Sequence, residues 1–424
     1  MKPKPLFKLM KHAQWLMKHA QWRTDTLHVC VLIILSASLC LLAGCASDGT
    51  PNDANSNASS STSASLSTQV SSSTVAAINV PVMLDEAFGG VDVALSIDEF
   101  NALGFTYGDS VDVKFSNGFE LNNIPYFSGY YVNIGDPLIV AYPGYQYIEV
   151  ALNYGDPLWY TAGLNEGDTV TITLAKAGGY LQTQKALGVF YTDNRADYES
   201  DEQFGNFRAI ASGNMTPGLW YRSASPIDNT RGRAGCVSEL AKQTGISYIL
   251  DLSDNANEIA EETADNAKTQ TDVSYFTELL DAGKVGLLDL PANYTSQEFK
   301  DKLSAGLAEL LSHDGPYLVH CVEGKDRTGF VCILLEALAG ASYDEIKTDY
   351  MKTYDNYFGI NEQSDPESYQ AIAKLYFEGM LAHLADVDEE SVDLSAIDYK
   401  ETATNYLREC GMTDEQIAAL VDRL

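Results

Sequence analysis

Residues 320–329, which read HCVEGKDRTG, constrain the fold of this chain more than any other segment. They follow the short apolar stretch 316–320, which is typical of a buried strand, and they precede a run with helical periodicity. A turn from a strand into a helix gathers backbone N–H groups and a helix N-terminus around one point, which favours binding of a phosphate dianion. Gly324 permits the tight backbone path. The segment therefore predicts an α/β domain with an anion-binding loop.

Two side chains of this loop, Cys321 and Arg327, have the spacing needed for chemistry on a phosphate. Arg327 can turn back across the loop and hold two phosphate oxygens. Cys321 lies at the focus of the positive potential, which favours its thiolate near neutral pH. A thiolate in line with a bound phosphate can attack phosphorus and form a cysteinyl-phosphate intermediate. An inert buried cysteine beside an ordinary ion pair is the alternative interpretation.

The HCx5R spacing of Cys321 and Arg327 resembles the signature of the cysteine-dependent phosphatase superfamily, and the form GKDRTG resembles its bacterial tyrosine/dual-specificity and lipid phosphatases. Upstream motifs of the same family are NFR at 206–208, YRS at 221–223 and the strand-end pair Asp251-Leu252. The chain departs from the family at Ser253, which is often arginine, and at Glu323, which is often alanine. The resemblance covers residues 187–424 and implies hydrolysis of phosphomonoesters without a cofactor.

The resemblance also implies roles for other residues. Those expected to contact the substrate are Val322, Glu323, Gly324, Lys325 and Thr328 in the loop, and Arg222 upstream. Thr328 alternatively caps the helix, and Arg222 alternatively pairs with an acid of the domain. His320 is expected to donate hydrogen bonds within the loop, with a plain strand-end histidine as the alternative. Lys325 implies tolerance of phosphoinositides beside phosphotyrosine, while the carboxylate of Glu323 opposes it.

The leaving group needs a proton, which a carboxylic acid near the loop normally supplies. Three candidates compete: Asp326, Asp289 and Asp251. Asp326 lies in the loop, where repulsion by the phosphate would raise its pKa and favour the donating form. Asp289, in the sequence LDLP, resembles the aspartate loop upstream of the cysteine in many phosphatases, and Asp251 ends a strand expected beside the loop. We predict Asp326, with Asp289 second; an ion pair with Lys325 or Arg222 that only shapes the loop is the alternative.

The composition narrows the classes of partner and cofactor. The chain has 59 acidic against 27 basic residues and a net charge of −32, which argues against binding of nucleic acid. A small local cluster of cations must therefore hold any phosphate. Arg231 and Arg233 are candidates for this cluster of cations; the alternative is that they lie in a solvated loop. Beyond the first thirty residues the histidines are His313, His320 and His383, and no CxxC pair is present, so no metal site is predicted.

Residues 1–44 carry a basic segment and the apolar run 29–42, and end in LAG before Cys45. This pattern resembles a bacterial lipoprotein signal peptide, which implies cleavage before Cys45 and acylation of that residue. An uncleaved membrane anchor is the alternative. Either interpretation places the rest of the chain outside the cytoplasm of a bacterium, anchored to its membrane. Residues 45–75, rich in Ser, Asn and Thr, predict a disordered tether.

The remaining chain has two parts with different periodicities. Residues 76–182 show period-two alternation and Gly-Asp pairs at 108, 135, 155 and 167, which predict a small all-β barrel-like domain. Its tyrosines either form a recognition surface or pack in the core. Residues 187–424 alternate strands with helices and predict an α/β domain whose mostly parallel sheet is flanked by helices. Helical periodicity is clearest at 296–311, 330–339, 343–353 and 368–384.

These patterns predict a phosphomonoester hydrolase, most simply a protein-tyrosine or dual-specificity phosphatase, acting on phosphorylated protein or on phosphoinositides. A catalytically silent surface binding protein is one alternative, although the intact Cys321, Arg327 and Thr328 argue against it. A rhodanese-like sulfurtransferase, which also places a cysteine in an anion-binding loop, is another.

Overall fold

The structure, a computed structural model, describes residues 75–424 apart from 87, 144, 389 and 390. The predicted signal peptide, Cys45 and nearly all of the predicted tether lie outside these residues. In the described part of the chain, no helix is both long enough and apolar enough to cross a bilayer. The described residues form two compact units.

The first unit, residues 75–129, 137–152 and 156–179, is a closed barrel of seven strands. In barrel order these are β1 (Ala76–Leu84), β2 (Val91–Val93), β6 (Ile148–Leu152), β5 (Pro137–Val140), β4 (Glu120–Phe127), β3 (Ser110–Phe115) and β7 (Thr169–Lys176). Neighbouring strands are antiparallel except β4 and β5, which are parallel. The short helices α1 (Ile97–Ala102) and α2 (Leu158–Thr161) lie in the connections.

The alternating pattern of the strands places apolar side chains inside this barrel. On β3, Val111, Val113 and Phe115 are buried, whereas Lys114 is exposed. Tyr126 is likewise fully buried and packs edge-on against a phenylalanine of the core. The predicted small all-β barrel is confirmed.

The second unit, residues 130–136, 153–155 and 180–424, contains one five-stranded sheet. Its order is β11 (Val285–Leu287), β10 (Tyr248–Asp251), β12 (Tyr317–His320), β9 (Trp220–Ser223) and β8 (Arg208–Ile210). Strands β11, β10, β12 and β9 pair in parallel, and β8 pairs antiparallel with β9. Because β10, β12 and β9 run in one direction in register, Asp251, His320 and Ser223 end side by side at one edge.

Helices make up most of the rest of the second unit. Those before strand β12 are α3 (Leu181–Leu187), α4 (Asp201–Phe204), α5 (Ala234–Thr244), α6 (Ala256–Thr269), α7 (Ser274–Asp281) and α8 (Gln297–Leu310). Those after it are α9 (Asp326–Leu338), α10 (Tyr343–Phe358), α11 (Pro366–Ile372), α12 (Gly379–Ala385), α13 (Tyr399–Glu409) and α14 (Asp414–Val421). Short 3₁₀ helices cover Arg195–Asp197 and Leu394–Ala396. The periodicity at 368–384 is interrupted, because a π-helix at Ala373–Glu378 joins α11 to α12.

Helix α9 is the central helix of this unit. Every residue from Thr328 to Leu338 is buried, which agrees with the largely apolar sequence of this stretch; its buried charged residue is Glu336. It starts at Asp326, six residues after β12 ends at His320. The predicted strand–loop–helix turn is therefore present, and its two ends are held by the most deeply buried elements of the unit.

Candidate active site

Residues 321–327 are called the phosphate loop below; they comprise the connection from β12 to α9 and the first two residues of α9. Three consecutive carbonyl groups of the phosphate loop accept hydrogen bonds from outside the loop. Val322 O accepts from the Ser225 amide at 3.2 Å, and Glu323 O accepts from the Tyr357 hydroxyl at 2.7 Å. Gly324 O accepts from Arg222 at 2.9 Å. Because the C=O and N–H of a trans peptide point in opposite directions, the three following amides point away from these outside donors. That arrangement suits a phosphate dianion.

Position 324 requires glycine for two reasons: its backbone conformation and the lack of room for a side chain. Its φ is +66°, in the left-handed region that favours glycine. A Cβ at this position would lie 2.2 Å from the carbonyl oxygen of Ser223, at the end of β9. The phosphate loop therefore packs directly against the neighbouring strand, and a side chain here would push it away.

Cys321 and Arg327 take the positions expected from their spacing. Cys321 follows β12 directly and is 4% exposed, at the start of the phosphate loop. Arg327 lies in the first turn of α9, and its Nη1 donates to the carbonyl of Leu290 at 3.1 Å. Among the described residues the guanidinium makes no ion pair, so most of its donors remain for a phosphate. The Leu290 contact orients the arginine through a backbone atom, which a sequence motif does not reveal.

Below the phosphate loop, four residues form a buried network that we call the loop floor: Asn206, Arg208, Arg222 and Asp349. The Asp349 carboxylate contacts Arg208 at 2.7 Å and Arg222 at 2.5 Å. Arg222 and Asn206 both donate to the carbonyl of Gly324, at 2.9 and 3.2 Å. Burial alone would raise the pKa of Asp349, but the two arginines outweigh it and lower the pKa.

The position of Arg222 differs from the pocket-lining one that the sequence suggested. Its side chain is fully buried, and its guanidinium is shared between Asp349 and the Gly324 carbonyl. It therefore shapes the phosphate loop from below, as in the alternative interpretation of a pair with an acid. Asp349 lies on α10, and no motif singled it out.

The open side of the phosphate loop carries a second cluster, which we call the loop rim: Tyr191, Arg231, Glu323 and Lys325. Glu323 Oε1 accepts a hydrogen bond from the Tyr191 hydroxyl and lies 3.3 Å from Arg231 Nη2. Its Oε2 lies 3.5 Å from Lys325 Nζ. Burial alone would raise the pKa of Glu323, but Lys325, Tyr191 and Arg231 outweigh it and lower the pKa. Glu323 is therefore ionised at neutral pH and paired.

Of the two arginines considered for a positive rim, only Arg231 belongs to it. Arg233 is buried, and its guanidinium packs against four aromatic rings at 4.7–5.9 Å: Tyr191, Tyr198, Phe204 and Tyr357. It also donates to Asp193 at 2.7 Å and to the Phe204 carbonyl at 2.9 Å. Arg233 is a structural residue that supports the segment carrying Arg231.

His320 and Thr328 are both fully buried. In the described part of the chain no hydrogen bond of ordinary geometry reaches either His320 nitrogen or the Thr328 hydroxyl. His320 Nε2 lies 3.7 Å from Asp251. Burial lowers the pKa of His320 to about 4, so the ring is neutral at neutral pH.

The three candidate acids occupy different environments. Asp326 is the first residue of α9, and its carboxylate lies 3.8 Å from Lys325 Nζ, the contact foreseen in the alternative interpretation. Although 48% of its side chain is exposed, burial of the carboxyl group raises the pKa of Asp326, and Glu323 adds to this rise, while Lys325 and Arg327 oppose it. Asp289, with φ +46°, pairs with Lys302 at 3.1 Å.

Asp251 is the least accessible of the three. It is fully buried, and one of its oxygens accepts from the amides of Ser253 and Asp254 at 3.0 and 3.1 Å. Burial raises the pKa of Asp251, but these hydrogen bonds bind it into the turn after β10. Of the three candidates, Asp326 has the most exposed side chain, and its pKa is raised. Within the described residues no cluster of metal-ligating side chains is present.

A buried cysteine at the start of a tight loop between a strand and a helix N-terminus, with an arginine six residues further on, is typical of the cysteine-based phosphatase class. In agreement with this class, the family model described as "Tyrosine phosphatase family" matches residues 203–424, a little over half of the 424 residues. The chain belongs to this family. It is a phosphoric monoester hydrolase of the tyrosine-phosphatase type.

Comparison with solved structures gives more distant similarities. One similar structure is the core catalytic domain of the PP-IP phosphatase SIW14 from S. cerevisiae, solved in complex with citrate. It is 19% identical to this chain, and the match covers 43% of this chain and 91% of that chain with a TM-score of 0.22. An uncharacterised conserved protein from Thermotoga maritima is 24% identical, with 22% of this chain covered and a TM-score of 0.19; the chain spans 35% of its length. At these TM-scores neither similarity bears on function. No curated protein matches the chain significantly.

Proposed function

We propose that this protein is a protein-tyrosine or dual-specificity phosphatase that acts through a cysteinyl-phosphate intermediate. The observation that supports this most directly is the phosphate loop, in which three consecutive carbonyls accept hydrogen bonds from outside the loop and the three following amides therefore point away from those donors. The Cys321 thiolate attacks phosphorus as the bond to the leaving oxygen breaks, and Asp326 gives that oxygen its proton. Water then attacks phosphorus, Asp326 takes the proton, and the thiolate leaves.

The test is hydrolysis of p-nitrophenyl phosphate and a phosphotyrosine peptide by the wild type, Cys321→Ser and Cys236→Ser. Cys236 is the matched control, because its thiol donates to the Arg233 carbonyl at 3.0 Å, which a hydroxyl can also do, and burial raises its pKa to about 11. We expect only Cys321→Ser to lose activity. Equal activity in the wild type and Cys321→Ser would refute the mechanism. Wild-type transfer of sulfur from thiosulfate to cyanide would favour the sulfurtransferase.

A phosphoinositide phosphatase is the second candidate, favoured by Lys325 in the phosphate loop. Its ammonium lies between Glu323 and Asp326. Burial alone would lower the pKa of Lys325, but these acids outweigh it and raise the pKa well above its usual value, so the side chain is charged at neutral pH. A panel of phosphotyrosine peptides, phosphoserine peptides and phosphoinositides distinguishes the candidates. We expect Lys325→Ala to reduce phosphoinositide turnover more than phosphotyrosine turnover. An equal loss on both would remove Lys325 as a selectivity element.

We further propose that the protein acts outside the cytoplasm, held to a bacterial membrane by lipid on Cys45. The support is the sequence of residues 1–45 alone. Cys45→Ala should release the protein from membranes or block its maturation. Metabolic labelling with a fatty-acid analogue should mark the wild type; an unlabelled wild type would refute the lipid anchor.

A further inference from the structure

The carboxylate of Glu323 lies between the two cations of the loop rim, the exposed Arg231 and the partly buried Lys325. Its two oxygens are 3.3 Å from Arg231 and 3.5 Å from Lys325, so one acid side chain bridges both cations. Each cation also has a second acidic partner: Arg231 lies 3.2 Å from Asp193, and Lys325 lies 3.8 Å from Asp326. Apart from Arg327, the cations beside the phosphate loop are therefore already neutralised by the protein itself.

Aromatic packing holds this carboxylate in place. Tyr191, whose hydroxyl donates to Glu323, stacks on Tyr357 with ring centroids 5.1 Å apart and packs edge-on against Phe358, also at 5.1 Å. Tyr357 in turn donates from its hydroxyl to the backbone carbonyl of Glu323. The side chain and the backbone of Glu323 are thus both fixed by tyrosines whose rings pack on each other. Movement of the carboxylate away from Arg231 and Lys325 would break several of these contacts together.

Two cations bridged by a carboxylate have the chemistry of an anion site with its anion already bound. We propose that Arg231 and Lys325 form a second anion subsite beside the phosphate loop, that Glu323 fills it, and that Glu323 thereby restricts the enzyme to substrates carrying a single phosphate. The inference rests on the proposed phosphatase function and names its substrate class. A sugar or inositol ring with a second phosphate would meet the Glu323 carboxylate, and like charges at such a distance repel. A phosphotyrosine side chain brings no second anion.

The experiment measures binding in the full-length Cys321→Ser protein, so that it does not depend on turnover. The probes are inositol 1-phosphate and inositol 1,3-bisphosphate, and the readout is the ratio of their dissociation constants by calorimetry. Glu323→Gln removes the charge and keeps an oxygen that can accept from Tyr191. Glu239→Gln is the matched control, an exposed carboxylate on α5 that accepts from Gln243 at 2.9 Å.

We expect Glu323→Gln to shift the ratio toward the bisphosphate by about tenfold, and Glu239→Gln to leave it unchanged. Adding Arg231→Gln to Glu323→Gln should cancel the gain, and raising the salt concentration should reduce it. An unchanged ratio in Glu323→Gln, or a gain that survives loss of Arg231, overturns the second subsite. Absence of Cys321-dependent hydrolysis in the wild type would instead overturn the proposed function, which makes the two failures distinguishable.

Discussion

The loop floor and the loop rim both pair cations with carboxylates next to the phosphate loop, but they differ in their access to water. In the loop floor, the side chains of Arg222 and Asp349 are 1% and 10% exposed. In the loop rim, those of Arg231 and Glu323 are 46% and 20% exposed. A buried pair broken on one side leaves a charge without solvent, whereas an exposed pair is screened and contributes little. The loop floor should therefore control folding and loop shape, and the loop rim should control what binds.

Asp349→Asn should have the largest effect on stability, because it leaves Arg208 and Arg222 buried without a counter-charge. We expect the free energy of unfolding to fall by about 3–5 kcal/mol, measured by denaturant titration. The control is Asp265→Asn, which breaks an exposed pair with Lys268 at 2.6 Å and should cost at most about 1 kcal/mol. Similar losses of unfolding free energy in both variants would mean that burial does not make the Asp349 ion pairs more stabilising than the exposed pair of Asp265.

The effect of Asp349→Asn on stability should also depend on pH. The arginines hold the pKa of Asp349 below its unfolded value near 4, so the unfolded chain binds the proton more readily. The stability contributed by ionised Asp349 is then fully present above about pH 4 and is lost as the pH falls through the lower folded pKa. The difference in the free energy of unfolding between the wild type and Asp349→Asn should be constant from pH 5 to 7 and should become smaller in acid. A difference that grew in acid would contradict this assignment.

Gly324→Ala should have the next largest effect, because the new methyl group would collide with the Ser223 carbonyl. We expect a loss of about 2–4 kcal/mol in stability, together with loss of most phosphatase activity as the loop moves away from β9. Gly283→Ala separates backbone strain from collision with a neighbouring atom. The φ of Gly283 is +68°, but a Cβ at this position would meet no atom within 4 Å. That control should lose about 1–2 kcal/mol and keep its activity. Equal losses would show that backbone strain, not contact with β9, makes Gly324 necessary.

Asp326→Asn tests the general acid at the open side of the loop and should leave stability nearly unchanged. We expect kcat to fall about a hundredfold on alkyl phosphates, which have poor leaving groups, and much less on p-nitrophenyl phosphate. Burial raises the pKa of Asp326, and its protonated form is the active one, so wild-type activity should decline as the pH rises through that pKa. The variant should lack this basic limb. If only Asp289→Asn, which disrupts the pair with Lys302, behaves in this way, Asp289 is the acid.

Arg231→Ala should have the smallest effect on folding. We expect a change of at most about 1 kcal/mol in the free energy of unfolding, further reduced at high salt, because half-exposed pairs are screened. Arg408→Ala, which breaks an exposed pair with Asp414 at 2.7 Å on another part of the surface, is the reference. If Arg231→Ala lost several kcal/mol of unfolding free energy and Arg408→Ala did not, Arg231 would stabilise the fold of the loop and would not be a solvent-screened residue of the loop rim.

The sequence by itself determined the elements whose signals are local. The strand, the loop and the helix around Cys321 follow from a short apolar stretch, a glycine and a helical period within about twenty residues. The barrel follows from period-two alternation and turn residues, and helices α8, α9 and α10 lie where the periodicity placed them. Cys321 and Arg327 are recognisable because both belong to one continuous loop, where spacing in sequence is close to spacing in space.

Only the tertiary structure decided which residues support that loop. Asp349 meets Arg222 across 127 positions of sequence, and Tyr191 meets Glu323 across 132. Arg231 and Arg233, two positions apart in one loop, separate into an exposed and a buried residue. A motif records neither distance between elements nor burial, because both result from how helices and strands pack. The charge state and role of an ionisable side chain depend on that packing, through loss of water and the partner it meets.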